Sequence, residues 1–413
     1  MTSAAAAARE SIMITGIGAV SPLGSSVAEI TANLMAGASG VRSIPPHAFA
    51  RETRQFAAPL TGIPLPPAGT CQLDAAAFAA LPRLDRLCLS PITHALADAA
   101  LPVGYPRTRI GLVLGQGAEQ LKEWDFDFLD QGTMVFEPRQ DQSLVHRLAQ
   151  HTGVSGPAVT AAAACASSGY AMALGRTWLE AGWVDACIVG GCDILSPTAL
   201  AAFYNLRALS RRGDDPTKSS RPFDRDRDGF VMGEGGAFFM LERRADAARR
   251  GARLYGELAG VGMSSDATHM VTPCIDPRNA ARAIVMALED AGVGPDEVDY
   301  VNAHAAGTPV GDAAEAGAIR LALDTAADRV PVSSTKSMSG HLVSGAAAFE
   351  AIACLAAIDR QAIPPTVNLD NPDENCPLDH VPHVARPARV RVTASNSFGF
   401  GGSNLCLVIR AAA

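Results

Sequence analysis

A cysteine among small residues is the first candidate for chemistry in this chain. Cys165 follows four alanines and precedes a small-residue run in TAAAACASSGYAMALG (160–175). A buried thiol is usually an inert small hydrophobe. A thiol at the start of a helix is different, because unpaired N–H groups and the helix dipole favour the thiolate there. The residues therefore leave two interpretations of Cys165 open: a core residue, or a nucleophile with room beside it for a substrate carbonyl.

Two histidines and a lysine also stand in unusual surroundings. His304 lies in YVNAHAAGTPVGD, where a predicted strand ends before a Gly/Pro turn. His341 lies in VSSTKSMSGHLVSGAAAFE, and Lys336 precedes it in the same small-residue run. A lysine in such a setting needs a partner, and Glu350 on the following helix is the nearest acidic candidate. Each histidine by itself is more typical of a core or loop than of a catalyst.

The composition bounds the class of protein. The chain has 413 residues, of which 48% are hydrophobic and 18% charged, a globular balance with length for two or three units of domain size. A net charge of −8 without a Lys/Arg-rich stripe argues against nucleic acid as a partner. We expect no membrane span, because no apolar run is long enough. Nine cysteines without a CxxC pair fit a reducing cytoplasm and neither a disulfide framework nor a zinc site.

The elements that must position these residues follow an alternating pattern. Strand-like apolar runs, such as 11–20, 109–117 and 184–193, alternate with helical patterns, which indicates an α/β protein with largely buried sheets. The helix predicted from residue 346 is apolar on nearly every side, so it must be enclosed, and a layer between two sheets would suit it. Both halves contain a strand, a small-residue helix and a strand, which permits a duplicated architecture.

Two glycine-containing segments resemble ligand loops without matching them. DRDRDGFVMGEG (224–235) begins like a calcium loop, but its twelfth residue is Gly235, and Glu234 stands one position early. A strand rather than a helix is predicted to follow it. GIGAVSPLG (16–24) does not have the spacing of a dinucleotide-binding turn, and Pro22 interrupts it.

Four motifs taken together resemble one family. In order and spacing they are similar to the β-ketoacyl-[acyl-carrier-protein] synthases, especially the type II elongating enzymes: CASSG, VNAHAAGTPVGD, SSTKSMSGH and NSFGFGGSN. The resemblance covers nearly the whole chain. It implies a thiolase-like α/β fold of five layers, α-β-α-β-α, in two similar halves. The expected halves are residues 1–255 with the nucleophilic cysteine and residues 256–413 with the catalytic histidines, in a homodimer.

The resemblance implies a decarboxylative Claisen condensation. Cys165 would attack an acyl thioester and hold the acyl group. A malonyl thioester on an acyl carrier protein would then lose CO2, and the resulting enolate would attack the acyl group to give a 3-oxoacyl product. His304 and His341 would donate hydrogen bonds to the thioester oxygen of that enolate. Lys336, paired with Glu350, would orient the histidines and balance charge.

The same resemblance assigns further residues. The backbone N–H groups of Cys165 and Phe400 would form an oxyanion hole. Glycines on both sides of Phe400 permit backbone motion, so its ring could act as a gate to the acyl pocket. Supporting roles fall to Glu350, Asp312 and Glu315, and substrate-binding roles to Thr308, Ala118, Phe203 and Phe398. No cofactor or catalytic metal is expected, and a structural monovalent cation is suggested at Asn302, Glu350, Ser395 and Asn404.

Two departures from the family pattern put the substrate in question. Where the family usually reads Gly-Thr-Ser-Thr-Pro after the catalytic histidine, this chain reads AAGTP (305–309), so Thr308 keeps its hydroxyl for a pantetheine arm while Ala306 lacks one. Glu119 and Gln120 are polar beside Ala118, where family synthases carry apolar residues that line the acyl tunnel. A specialised ketosynthase of a polyene or polyketide pathway, working with a chain-length-factor partner in a heterodimer, therefore remains open beside fatty-acid elongation.

Two other members of the superfamily fit less well. A thiolase would need a second catalytic cysteine in its C-terminal glycine-rich motif, and the matching FGFGGS has none. A non-catalytic chain-length-factor subunit would lack the nucleophile, whereas Cys165 and both histidines are present. The sequence does not determine the length or saturation of the acyl chain.

Overall fold

Strands alternate with helices throughout the residues that the computed structural model describes, which are 10–45, 56–118, 125 and 143–412. The helices are α1 Val27–Ala36, α2 Ala75–Ala80, α3 Arg83–Ala99, α4 Leu144–Thr152, α5 Ser167–Glu180, α6 Pro197–Asn205, α7 Arg244–Arg249, α8 Arg278–Ala291, α9 Pro309–Leu323, α10 Lys336–Ser339 and α11 Ala346–Arg360. The strands are β1 Ile12–Val20, β2 Arg42–Ser43, β3 Phe56–Ala57, β4 Ile110–Gly115, β5 Ala158–Ala161, β6 Ala186–Asp193, β7 Gly235–Arg243, β8 Gly256–Ser265, β9 Tyr300–Asn302, β10 Pro331–Ser333, β11 Ala362–Ile363, β12 Asp379–His380, β13 Arg386–Pro387, β14 Val392–Gly399 and β15 Ser403–Arg410.

The strand order of the large sheet repeats. In the described residues this sheet has 11 strands in the order β12-β10-β9-β14-β15-β8-β1-β7-β6-β4-β5. Numbered within its own half, the set β1, β4, β5, β6, β7 and the set β8, β9, β10, β14, β15 both run 3-2-4-5-1 from edge to centre. Both sets have parallel outer pairs and antiparallel inner pairs. The expectation of two similar halves is therefore confirmed.

The helices complete five layers. Helix α3 packs on β1, β6 and β7, while α8 packs on β8, β14 and β15. Helix α5 lies on β4 and β6, α11 lies on β14 and β15, and these two helices pack against each other. Residues 346–357 of α11 are all buried, as the continuous apolar pattern predicts. The strands of the two halves lie on opposite sides of α5 and α11, so the one continuous sheet supplies both β layers. The order of layers is therefore α-β-α-β-α, with α5 and α11 in the middle. No helix in the described parts of the chain is long and apolar enough to cross a membrane.

A short glycine pattern recurs in the first strand of each half. β1 carries GIG at 16–18, and β8 carries GVG at 260–262. A Cβ at the second glycine would lie 1.9 Å from the carbonyl oxygen of Pro91 in α3 or, in β8, 2.0 Å from that of Ala283 in α8. The absence of a side chain therefore lets the outer helix of each half touch the strand backbone. Reading the sequence alone missed this trace of duplication.

We expect Gly262→Ala to destabilise the protein, because the added methyl must push α8 away from β8. Overpacking of this kind costs about 1–3 kcal/mol of unfolding free energy, measurable by denaturant titration. Gly62→Ala is the matched control, since a Cβ there meets nothing within 4 Å. Equal stability of the two variants would show that α8 does not rest on the strand backbone.

Candidate active site

Cys165 lies in a tight turn between β5 and the central helix α5. Residues 164–166 form a 3₁₀ turn, and Ala164 adopts a left-handed backbone conformation with φ 48°. The Ser167 hydroxyl holds this turn: it accepts the N–H of Ala163 at 2.9 Å and donates to the carbonyl of Ala164 at 2.7 Å. Cys165 is 7% exposed. The predicted position at the start of a helix is confirmed.

His304 follows β9 and is fixed through its backbone. The N–H groups of His304 and Ala305 donate to the two oxygens of Glu315 in α9, at 2.8 and 2.6 Å. Asn396 of β14 donates to the same carboxylate at 3.0 Å. The carboxylate therefore ties the residue after β9 to both a helix and a strand, which gives Glu315 the supporting position that the resemblance implies.

His341 is held by the segment that resembled a calcium loop. Its N–H donates to the carbonyl of Val231 at 2.7 Å, and its carbonyl accepts the N–H of Gly233 at 2.9 Å. Asp224 at the start of that segment accepts the N–H groups of Asp370 and Asn371 at 2.9 and 2.8 Å. Residues 231–233 of this segment thus fix the backbone of the histidine.

The two histidines face one another. Their ring centroids are 5.4 Å apart and the ring planes are at 84°. Both Nδ1 atoms are buried, and neither has a hydrogen-bond partner among the described residues. Phe230 packs edge-on against His341, at 5.2 Å between centroids, and Phe398 lies 6.0 Å from His304. The two rings are therefore close enough to take part in one site.

Both imidazoles are uncharged at neutral pH. Burial lowers the pKa of His304 and of His341 well below 6.5, and the positive charge of Lys336 lowers both further. A neutral imidazole carries one N–H, so each ring can still donate one hydrogen bond. Preset donors of this kind stabilise an oxygen that develops negative charge.

Lys336 forms a buried ion pair with Glu350, as predicted. The two side chains are 2% and 1% exposed, and the Ser397 hydroxyl donates to the second carboxylate oxygen at 3.5 Å. Burial raises the pKa of Glu350 to about 7, while Lys336 opposes that rise. Removing either partner would leave a buried charge alone, which is strongly destabilising.

The Phe400 loop lies against the cysteine. The backbone N–H of Phe400 faces the Cys165 thiol closely enough to lower its pKa. A Cβ at Gly399 would lie 2.7 Å from the carbonyl oxygen of Ala163, so the loop touches the turn. The Phe400 ring packs at 5.9 Å on Phe203 of α6. The loop therefore brings an N–H donor and an aromatic ring to the positions predicted for an oxyanion hole and a gate.

Family comparisons agree with this geometry. The sequence matches the family description "Beta-ketoacyl synthase, N-terminal domain" over residues 9–247 and "Beta-ketoacyl synthase, C-terminal domain" over residues 255–370. The chain belongs to the beta-ketoacyl synthases.

Relatives of this synthase come from two kinds of pathway. It is 37% identical to the 3-oxoacyl-[acyl-carrier-protein] synthase 2 of Synechocystis sp., over 97% of this chain and 98% of that protein. It is 34% identical to the tetracenomycin polyketide synthase ketoacyl synthase alpha subunit of Streptomyces glaucescens, over 97% of each. The solved structure of the ishigamide ketosynthase/chain length factor superposes with a TM-score of 0.87 at 31% identity, covering 98% of this chain and 100% of that one.

The synthase buries its nucleophile more deeply than the sequence suggests. Burial raises the pKa of the Cys165 thiol to about 12, and Asp193 and Glu350 also raise it, while Lys336 and the Phe400 N–H oppose the rise. Burial therefore opposes the thiolate that the start of a helix is expected to favour, and the role of Cys165 as a nucleophile stays a prediction.

The loop after His304 contains Thr308, which is predicted to bind a pantetheine arm, and Ala306, which lacks the usual hydroxyl. Asp312 accepts the N–H groups of Gly307 and Thr308, both at 3.1 Å, which holds the Thr308 turn. Ala306 is 6% exposed and belongs to an apolar cluster with Phe230. Ala306, which stands where the family has a hydroxyl, thus lies in apolar surroundings.

The predicted acyl-tunnel residues lie at the limit of the described chain. Ala118 is exposed in the single chain, with φ 53°, and the preceding Gly117 donates its N–H to the Ser344 hydroxyl at 3.0 Å. Glu119 and Gln120 lie outside the described residues. A tunnel role for Ala118 therefore stays a prediction.

The suggested cation set is only partly assembled. Asn302 and Ser395 are direct neighbours across β9 and β14, and the side-chain oxygens of both are buried without a hydrogen-bond partner in the described chain. These neutral oxygens suit a monovalent cation. Glu350 is engaged by its lysine, however, and Asn404 lies farther along β15, where its amide donates to Asp266 at 2.7 Å. The cation site stays a prediction.

Two positions were missed from sequence. Asn396 donates to Glu315, and Ser334 donates from its hydroxyl to the carbonyl of Ala305 at 2.6 Å. Both are polar residues inside otherwise buried motifs, NSFGFGGSN and SSTK. A polar side chain in such a position needs a partner, and that requirement is the signal that could have identified them.

We expect alkylation of Cys165 by iodoacetamide to accelerate about tenfold per pH unit from pH 7 to pH 10, because only the thiolate reacts. Labelling at this residue, followed by peptide mass spectrometry, measures the rate. Cys165→Ser controls for the other thiols. A rate that levels off below pH 8 would contradict the raised pKa of the buried thiol.

Proposed function

We propose that the protein condenses an acyl group held on Cys165 with malonyl-acyl-carrier-protein to give 3-oxoacyl-acyl-carrier-protein. One observation carries the proposal: the neutral imidazoles of His304 and His341 lie next to each other, and the buried Nδ1 atom of each has no hydrogen-bond partner in the described chain. Residues 164–166, which include Cys165, pack against residues 343–345, just after His341. The charge of Lys336 acts on the thiol and on both imidazoles, which supports one shared site.

The first step is acyl transfer. The Cys165 sulfur forms a bond to the thioester carbonyl, the bond from that carbon to the carrier sulfur breaks, and the thiol proton leaves with the carrier thiol. Because burial favours the protonated thiol, the proton departs during attack rather than beforehand. The backbone N–H groups of Cys165 and Phe400 receive the carbonyl oxygen as it becomes negative.

The second step makes the carbon nucleophile. The malonyl C–C bond breaks, CO2 leaves, and the bonding pair becomes an enolate whose oxygen accepts the N–H groups of His304 and His341. The enolate carbon attacks the acyl carbonyl, and Cys165 is expelled and reprotonated from solvent. Burial lowers the pKa of both imidazoles, and the positive charge of Lys336 lowers it further, so the lysine helps to keep them neutral without donating a proton to them.

A second subunit and a carrier protein complete the proposed assembly. β5 is the edge strand of the sheet, and Val159 on it is 36% exposed. The apolar helix α6, which carries Phe203, has no fully buried residue in the single chain. We infer that a partner subunit covers this edge, either a second copy or a chain-length factor.

We also propose that the two halves divide between residues 255 and 256. We propose that the protein works in the cytoplasm, since the cysteines of the described chain are free thiols.

A specialised acyl chain is the second candidate within the same reaction. Relatives of similar identity include both fatty-acid and polyketide synthases. The apolar setting of Ala306 favours the specialised branch, because the thioester arm would meet one hydroxyl, that of Thr308, instead of two.

We expect Cys165→Ala to abolish acyl loading, seen as an unchanged intact mass, while malonyl-acyl-carrier-protein is still decarboxylated. His341→Ala should still load the acyl group, yet condense about 10²–10³-fold more slowly, since it loses one donor to the developing oxyanion. His383→Ala, at an exposed histidine, is the control and should keep wild-type rates. Covalent loading of Cys165→Ala, or normal condensation by His341→Ala, would refute the assignment of roles.

We expect the wild type to accept polyunsaturated or oxygenated acyl carriers at least as well as saturated ones of equal length, and Ala118→Ile to shorten the preferred chain. The small side chain would leave the tunnel deeper than an isoleucine allows. Competition between paired acyl carriers, read by mass spectrometry of the acyl-enzyme, measures both effects. A preference for saturated chains whose length Ala118→Ile does not alter would assign the protein to ordinary fatty-acid elongation.

A further inference from the structure

The segment that resembled a calcium loop buries an arginine whose role the proposed reaction leaves unexplained. Arg227 is 3% exposed at its side chain. Its guanidinium donates to the backbone carbonyls of Thr308, Pro309 and Asp224 at 3.2, 2.8 and 3.0 Å, and to the carboxylate of Asp373 at 2.6 Å. A buried charge is tolerated only when its hydrogen bonds are met. Two of the bonds that meet this requirement go to the turn after His304.

Asp312 holds the same turn from the opposite side. One carboxylate oxygen accepts the N–H groups of Gly307 and Thr308, at 3.1 Å each. The other accepts the N–H of Phe223 at 2.9 Å and lies 3.7 Å from Nε of Arg227. Arg227 thus binds the carbonyl groups of the turn, and Asp312 binds its N–H groups. The charges of the two side chains balance each other.

Further backbone groups of residues 304–309 are also engaged. Gly229, two residues after the arginine, donates its N–H to the carbonyl of Gly307 at 3.0 Å. Gly307 has φ 88°, and a Cβ there would lie 3.1 Å from the Gly229 oxygen. Ser334 and Glu315 hold the Ala305 end. The turn is thus held at both ends, and Arg227 supplies side-chain bonds at its Thr308–Pro309 end.

We propose that Arg227 is a positioning residue for the carrier-borne thioester. It fixes the peptide units of Thr308 and Pro309, so that the Thr308 hydroxyl points at the arm of the arriving substrate. The inference rests on the proposed function, because a thioester arm must pass the Thr308 turn. Arg227 acts through that turn and does not touch the reacting atoms, so its loss should weaken substrate binding more than it slows the chemical step.

Lysine cannot replace this arginine. The guanidinium presents five N–H groups in one rigid plane, whereas an ammonium is a compact point charge on a flexible stem. Arg227→Lys therefore keeps a positive charge near Asp312 and Asp373 but loses the simultaneous bonds to the Thr308 and Pro309 carbonyls. The variant therefore still balances the acidic charges that must be neutralised for folding, but it no longer binds both carbonyl groups of the turn.

Arg221→Lys provides the matched control. Arg221 lies three residues before the same segment, its side chain is 9% exposed, and it pairs with Asp224 and Asp370. None of the hydrogen bonds that its side chain makes in the described chain reaches residues 304–309. The two variants share chemistry and burial and differ in whether the lost bonds end on the Thr308 turn.

Two measurements test the proposal. Hydrogen-exchange mass spectrometry should show exchange in a peptide covering 304–310 about tenfold faster in Arg227→Lys than in wild type, since the turn opens locally. The KM for malonyl-acyl-carrier-protein should rise about tenfold with kcat within about threefold, a loss of substrate binding more than of the chemical step. Acylation of Cys165 by a small thioester without a pantetheine arm should be unchanged. Arg221→Lys should show neither effect.

The exchange result stands apart from the reaction. If wild type forms no 3-oxoacyl product, the proposed function fails, and unchanged exchange in Arg227→Lys would separately overturn the grip on the turn. Faster exchange with an unchanged KM, or an equal loss in Arg221→Lys, would overturn the role in substrate positioning. Should Arg227→Lys not fold, Asp373→Asn removes one partner of the guanidinium and should shift exchange and KM in the same direction by less. No shift in that variant would likewise overturn the proposal.

Discussion

The ammonium of Lys336, enclosed in the centre of the protein, sets the conditions for the groups around it. At 2% exposure it cannot be solvated, so Glu350 must stand beside it. Burial lowers the pKa of His304 and His341, and the charge of this lysine lowers both further. It also opposes the rise in the thiol pKa of Cys165. One buried cation thus couples the protonation states of nucleophile and donors, and the closely packed layers around α11 keep that cation from water.

The residues that do chemistry were predictable because their types conflict with their surroundings. A lysine, two histidines and a glutamate among alanines, glycines and serines need a reason to be there, and short motifs carry that conflict on their own. What depends on distant pairing was not predictable. Whether Asn404 lies near Ser395 is decided by register along β15, and the burial of Cys165 is decided by the Phe400 loop folding over it. The order of the strands, likewise, appears only when both halves are assembled.

The site combines fixed and adjustable parts. The turn after His304 has its backbone groups taken by side chains and by residue 229, and the backbone of His341 is paired with residues 231–233. The Phe400 loop contains Gly401 and Gly402, which adopt positive φ angles of 83° and 76°, and a Cβ at Gly401 would meet nothing within 4 Å. Glycines permit backbone motion once their hydrogen bonds open. In the proposed reaction, the donors that stabilise charge therefore lie on the strongly bonded side, and the ring that lets a chain pass lies in the glycine loop.

The matching strand order places the nucleophile and the lysine–histidine segment at corresponding points of the two halves. Cys165 follows β5, the third strand of its half, and precedes α5. Lys336 and His341 follow β10, the third strand of the other half, and precede α11. Two identical chains paired about a twofold axis would have to carry the same residues at both points. Joining the halves in one polypeptide removes that requirement, so one copy of an ancestral loop can specialise in attack while the other specialises in charge stabilisation.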